Sequence, residues 1–186
     1  LKDYYGAIAD LNKSLDLGFK YKEWIYLYRG DAKYELKDYY GAIADYTKVI
    51  EIVNDEAPEL SPSRGWDFII KKGSSPLYAK RAFSKIELKD YYGAIEDFTK
   101  AIELEPTAAR YQNRAACKYE LKDYYGAIAD SNKAIELNPD NSDAYFTRAY
   151  SKANINDKNG ACKDARKAQS LGNIGDLFTV IKYACN

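Results

Sequence analysis

Between Leu121 and Pro139 the chain reads LKDYYGAIADSNKAIELNP, with apolar or small residues at Tyr124, Ala127, Ile128, Ser131, Ala134 and Ile135. Steps of three and four place all six on one face of a helix. The opening string, LKDYYGAI, begins at Leu1, Leu36, Leu88 and Leu121, at successive offsets of 35, 52 and 33 residues. A degenerate fifth copy, NDKNGACKDARKA, puts Gly160 34 residues after Gly126. Copies this alike point to internal duplication.

A second helical stretch precedes every copy but the first: Trp24–Glu35, Pro76–Glu87, Ala109–Glu120 and Asp143–Asn154. Ser75-Pro76 supplies a cap and a first-turn proline, and Pro106-Thr107 and Asn141-Ser142 do similar work. The far ends are closed by the Lys-Asp pair that starts the next helix. Each unit is thus two antiparallel helices of roughly 12–15 residues in a period of about 34. One such hairpin cannot bury its apolar face alone, so it must stack on its neighbours.

These units resemble the tetratricopeptide-repeat family. Tyr111 stands at a large aromatic site, Ala115 at the small site of the first helix (helix A), and Tyr124 at the aromatic site opening the second (helix B). Ala127 and Ala134 fall where helices cross closely, and Pro139 ends the unit. The same slots hold Tyr26, Gly30, Tyr39 and Ala42 in one earlier unit, and Tyr78, Ala82, Tyr91, Ala94 and Pro106 in the next. The resemblance implies an all-α, right-handed superhelical solenoid of antiparallel helix pairs with a C-terminal capping helix. The expected division is helix B of a partial repeat (1–18), a repeat (22–54), an insert (55–74), two repeats (75–106 and 107–140), a degenerate repeat (141–172) and a cap (173–186). In the cap, Ile174, Leu177, Phe178 and Ile181 share a face. The insert has an apolar middle, Trp66–Ile70, that reads either as a short packing helix or as a partner-binding loop. The ending GACKDARKAQSLG…YACN also resembles the C-terminal ends of many bacterial proteins of this family, which implies a bacterial source.

Two polar series recur with the unit. Arg29, Arg81, Arg114 and Arg148 share a helix A slot, and Asp10, Asp45, Asp97, Asp130 and Asp164 share a helix B slot. A phosphate-binding arginine ladder is one reading. Interhelical Arg–Asp pairs that fix hairpin register are favoured, because the spacing is matched. Lys33, Lys85, Lys118 and Lys152, each four residues after an Arg, read as a solvated stripe.

In this family helix A lines the concave surface. The partner-binding groove would then comprise Leu27, Tyr28, Tyr34, Lys80, Phe83, Ile86, Asn113, Tyr119, Phe146 and Tyr150, with Glu35, Glu87 and Glu120 along one side. Tyrosines give large contact area at low entropic cost, which suits an extended peptide or a partner helix. One subclass of the family grips C-terminal carboxylates with a Lys/Asn/Arg clamp. Asn113 matches one clamp position, but Pro76, Asp143 and Thr147 do not match. The acidic row also disfavours acidic tails, so the expected ligand is a neutral or basic protein or peptide.

Composition narrows the rest. With 28 basic and 28 acidic residues nothing draws the chain to nucleic acid or anionic membrane. Histidine is absent, and no nucleophile–base pair, phosphate loop or metal spacing occurs, so neither catalysis nor a cofactor is expected. Cys117 sits beside the small site and reads as core. Cys162 and Cys185 leave two alternatives: a disulfide in a periplasmic or secreted protein, or two buried thiols in a cytoplasmic one. The half-repeat at Leu1 leaves the inner face of its helix without its usual partner: either a helix A lies upstream of the sequence given, or another chain covers the face, which opens a second role, self-assembly.

Overall fold

The computed structural model describes residues 3–56, 74–173 and 178–185. The apolar middle of the insert, together with Ile174 and Leu177, lies outside the described residues. Ten helices occur among them: α1 (Tyr4–Asp16), α2 (Lys22–Glu35), α3 (Tyr39–Glu56), α4 (Ser75–Glu87), α5 (Tyr91–Leu104), α6 (Ala108–Glu120), α7 (Tyr124–Leu137), α8 (Ser142–Asn154), α9 (Lys158–Ser170) and α10 (Phe178–Ala184). They form stacked antiparallel pairs in two compact units, Leu1–Glu105 and Pro106–Asn186. In the first unit α1 packs on α2, α2 pairs with α3, α3 packs on α4, and α4 pairs with α5. In the second, α6 pairs with α7, α7 packs on α8, α8 pairs with α9, and α10 lies against α9 and α8.

The corner inside each pair is built by three residues. At Leu36-Lys37-Asp38, Leu36 caps α2 and Lys37 takes a left-handed φ of 63°. The amide of Asp38 then donates to the carbonyl of Lys33, and that of Lys37 to the carbonyl of Tyr34, at 2.9 Å each. These two bonds close a helix end, usually around glycine. Lys89, Lys122 and Asn156 repeat the geometry, with φ of 59°, 64° and 64°. The aspartate of the same corner caps the next helix: Asp38 Oδ1 accepts from the Gly41 amide at 2.9 Å, and Asp90, Asp123 and Asp157 act alike. A side chain at these glycines would run into the cap carboxylate and push it off its bond. The Lys-Asp pair therefore closes one helix and opens the next.

One cap differs from expectation. Ser74, not Ser75, precedes α4, and its hydroxyl turns to Asn54 Oδ1 at 2.9 Å. Ser75 is the first helical residue and is fully buried, donating to the carbonyl of Ala101 at 2.9 Å. It thereby ties the start of α4 to the end of α5. Helix α3 also continues to Glu56, two residues past the repeat boundary at 54. Just before that boundary Val53 is buried together with Val49, Ile50 and Leu77.

The close crossings are made by small residues: Ala42, Ala82, Ala94, Ala115, Ala127, Ala134 and Ala149 have no exposed surface. Opposite the helix A small site, helix B carries Tyr46, Phe98, Ser131 and Ala165 in turn. Gly30 faces the largest of these, and a Cβ at Gly30 would lie 2.8 Å from Tyr46 Cε1. Phe98 is wholly buried, which is worth roughly 1.5–3 kcal/mol of transfer free energy.

The recurring charges hold each pair in register. Asp45, Asp97, Asp130 and Asp164 are nearly buried, and each receives the Nε and Nη2 of the arginine sixteen residues earlier, at 2.6–2.9 Å. This bidentate geometry supports the register reading over a phosphate ladder. The lysines are not a solvated stripe. Lys33, Lys85, Lys118 and Lys152 put Nζ 2.8–2.9 Å from the second oxygen of the same aspartate, because a buried carboxylate held by Arg on one edge still has acceptor capacity on the other. The third arm of the guanidinium reaches the preceding helix B: Arg29 to Asn12 at 2.6 Å, Arg81 to Thr47 at 3.0 Å and Arg148 to Asn132 at 2.7 Å. Each of these arginines also lies over the tyrosine three residues earlier, Tyr26, Tyr78 and Tyr145, at 5.2–5.4 Å.

Removing the shared carboxylate strands two cations. Asp97→Ala should lower unfolding free energy by about 3 kcal/mol, read from urea titration. Lys100→Ala, which breaks an exposed pair with Glu103, should leave the midpoint unchanged. Equal effects would deny the clamp its role in stability.

Candidate binding cavities

In each unit, described helix A residues border a cavity. In the first unit, Asp31, Tyr34 and Glu35 of α2, Tyr46 of α3, and Lys80 and Phe83 of α4 enclose about 400 Å³. Three consecutive helices supply the walls because α2 and α4 flank α3. Tyr46 is the floor: its ring is buried against Gly30 and its hydroxyl donates to Asp31 Oδ1 at 2.8 Å. Lys80 Nζ donates to the same oxygen at 2.7 Å and lies 5.9 Å from the Tyr46 ring centre. Phe83 is partly exposed and stands edge-on to Phe98, ring centres 5.6 Å apart. Tyr34 packs against Tyr39 in the same manner. Burial, then the charges of Glu87 and Glu35, push the Tyr34 phenol above its ordinary range. Desolvation and a hydrogen bond to Glu87 do the same to Tyr39.

In the second unit, Tyr119 of α6, Tyr150, Ala153 and Asn154 of α8, and Val180 and Tyr183 of α10 enclose about 450 Å³. Among the described residues none of those lining this space is charged. Tyr119 and Tyr150 meet edge to face with ring centres 6.1 Å apart, and Phe146 leans on Tyr150 at 4.8 Å. Burial raises the Tyr119 phenol. The wall from α10 is fixed by Val180 and Ala184, buried among Ala149, Ala161, Ala165 and Ala168.

Of the sequence-predicted groove residues, Tyr34, Lys80 and Phe83 meet at the first cavity, and Tyr119 and Tyr150 at the second. Leu27 does not belong to the groove. It is buried in the core with Val49, Ile50 and Leu77: it shares a helix face with Asp31 and Tyr34 but lies one and two turns before them, where the core of α3 and α4 covers that face. Tyr28 is exposed and stacks on Trp24 with ring centres 5.8 Å apart, outside the cavity lining. Ile86 and Asn113 are half-buried and line neither cavity. Tyr46, Val180 and Tyr183 were not foreseen. The signal for Tyr46 was Gly30, the single glycine in a slot that otherwise holds alanine.

The structure joins Cys162 of α9 to Cys185, just past α10, with Cα atoms 5.1 Å apart. Cys117 is free and buried, and burial pushes its thiol up to about 12. Among the described residues no cluster of His, Cys, Asp or Glu could hold a metal ion, and no helix is long and apolar enough to cross a membrane.

Stacked helix hairpins carrying aromatic cavities define a helical-repeat scaffold. Residues 75–107 and 108–141 match one tetratricopeptide-repeat family model, and residues 132–163 match another. The matches cover residues 75–163, and the chain's stacked antiparallel helix pairs are tetratricopeptide-repeat-like in fold. Such domains serve in general in protein–protein interaction and are typically not enzymes. No curated protein sequence gives a significant match. Among solved structures, the chain is similar to the tetratricopeptide-repeat domain of Arabidopsis OM64, at 25% identity and TM-score 0.58, over 60% of this chain and 94% of that one. It is also similar to YrrB, described as having an unusual peptide-binding site, at 15% identity and TM-score 0.74, over 97% and 84% of the two chains. A third is the first repeat domain of Spaghetti (RPAP3), bound to the HSP90 peptide SRMEEVD, at 22% identity and TM-score 0.58, over 60% and 90%.

Two titrations check this chemistry. Unreduced native protein should show no thiol reactive toward Ellman's reagent at pH 8, one after unfolding, and three after unfolding with reduction. Three without reduction would remove the bridge. The Tyr46 phenol is raised, by burial first and then by its bond to Asp31. Its contribution to stability is therefore complete below the unfolded value of about pH 10 and is lost as pH rises past it. Tyr46→Phe should make unfolding midpoints less sensitive to pH above that point.

Proposed function

We propose that this chain is a non-enzymatic scaffold that binds a peptide or partner helix against the aromatic faces of its helix A elements. The observation that supports this best is the first cavity, where the partly exposed Phe83 and the half-buried Tyr34 ring stand over the Tyr46 floor with hydrogen-bonding groups at the rim. Concave, largely apolar sites with a few convergent polar groups are the usual form of a binding site. Peptide binding in other proteins of this fold agrees with it.

The ligand is neutral or basic. Glu35, Glu87 and Glu120 are exposed at the C-terminal ends of α2, α4 and α6, where they would repel an acidic tail. Asp143, exposed in the first turn of α8, replaces a clamp cation. A second reading, self-association through α1, is favoured by one observation: no residue of α1 is fully buried, and Tyr5 and Leu17 are exposed.

A pull-down from native lysate compares the parent chain with Phe83→Ser and with Tyr28→Ser, helicity being checked by circular dichroism. The groove reading expects a partner lost with Phe83→Ser and kept with Tyr28→Ser. Retention by Phe83→Ser would place binding elsewhere. Self-association of all three, with no captured partner, would transfer the proposal to α1.

A further inference from the structure

We infer that the cavity of the first unit seats a cationic side chain of the partner, with arginine favoured over lysine. This rests on the groove reading and specifies the chemistry of its ligand.

Among the described residues six line the cavity: three rings, two carboxylates and one ammonium. These six carry a net charge of −1, from Asp31, Glu35 and Lys80. Glu87 adds to it from close by, because it hydrogen-bonds Tyr39 and raises both Tyr39 and Tyr34. An anionic group entering here would meet three carboxylates and one lysine already paired.

The acceptors in the cavity are not used up. A carboxylate offers about four lone-pair sites. Asp31 takes the Tyr46 hydroxyl and the Lys80 ammonium on Oδ1 alone, and among the described residues no donor is recorded on Oδ2. Glu35 takes the Tyr4 hydroxyl on Oε2 at 3.2 Å, and none is recorded on Oε1. Both side chains are open enough for a ligand to reach: Asp31 is 38% exposed and Glu35 lies at the surface.

Lys80 already demonstrates the mode. Its ammonium is paired with Asp31 beside the Tyr46 ring while 43% of its side chain remains exposed. The chain thus places one cation of its own against the carboxylate and the aromatic floor. A guanidinium has a flat face to lay on Tyr34 or Phe83 and a fork of donors for Asp31 Oδ2 and Glu35 Oε1. An ammonium has one point of charge and must compete with Lys80 directly. The second cavity has the same tyrosine character, and none of its described lining residues is charged, so it serves as an internal control.

The test titrates N-acetyl-arginine amide, N-acetyl-norleucine amide and N-acetyl-glutamate amide into the intact chain and follows aromatic side-chain resonances by NMR. The arginine probe should give saturable shifts at Tyr34, Tyr46 and Phe83, at about tenfold lower concentration than the norleucine probe. The glutamate probe should not shift them. Asp31→Asn/Glu35→Gln should weaken the arginine probe by about tenfold. Lys80→Gln should strengthen it, because the internal competitor is gone. The inference falls if arginine and norleucine bind alike, or if the double variant leaves the arginine probe unaffected. It also falls if the rings of the first unit do not respond while Phe83-dependent partner capture persists. The first and third of these results would leave the groove reading standing and strike only the charge assignment.

Discussion

A carboxylate taken out of water is costly unless cations and donors surround it, and every helix pair here is organised around one. The aspartate on helix B accepts a two-pronged guanidinium on one side and an ammonium on the other, and both come from a single helix A, one turn apart. In Arg29, Arg81 and Arg148 the remaining arm leaves the pair and holds the helix B before it. At those three positions, within each unit, one side-chain constellation fixes the angle within a pair and the step to the previous helix. A slide of either helix would strand the charge, so the constellation penalises other registers more than it rewards the native one. The alanines can then be small, because nothing else has to locate the helices.

Much of this was written in the repeats. The sixteen-residue step from Arg to Asp recurs unchanged, and a pairing that repeats with the unit is visible without coordinates. The lysines were harder to read. A basic residue four positions beyond an arginine lies on the same helix face whether it reaches across or points to water, and only the lone pair that the arginine leaves open on the aspartate decides. The corner was half legible: Asp before Tyr-Tyr-Gly announces a cap, but a left-handed lysine carries no mark of its own, since glycine is the usual sign.

The cavities show where local pattern gives out. Tyr26, Leu27 and Tyr28 are adjacent and bulky, and a helix can turn only some of them toward one face; burial of Leu27 follows from what α3 presents, which no spacing within α2 records. Tyr46 belongs to the helix that was not expected to contribute, and Val180 and Tyr183 come from a non-repeating tail. These residues enter through contacts distant along the chain, and periodicity reports only near ones.

The eight-residue corner string has a consequence for how such a chain changes length. It contains, without interruption, the end of one helix, the reversal and the start of the next, and its hydrogen bonds close almost entirely within itself and the turn before it. A crossover between two copies of the gene segment encoding it would rejoin one corner to another with every cap bond restored. Whole hairpins can be gained or dropped at these seams while the joint stays unaltered, so the faces between corners are free to diverge toward different ligands.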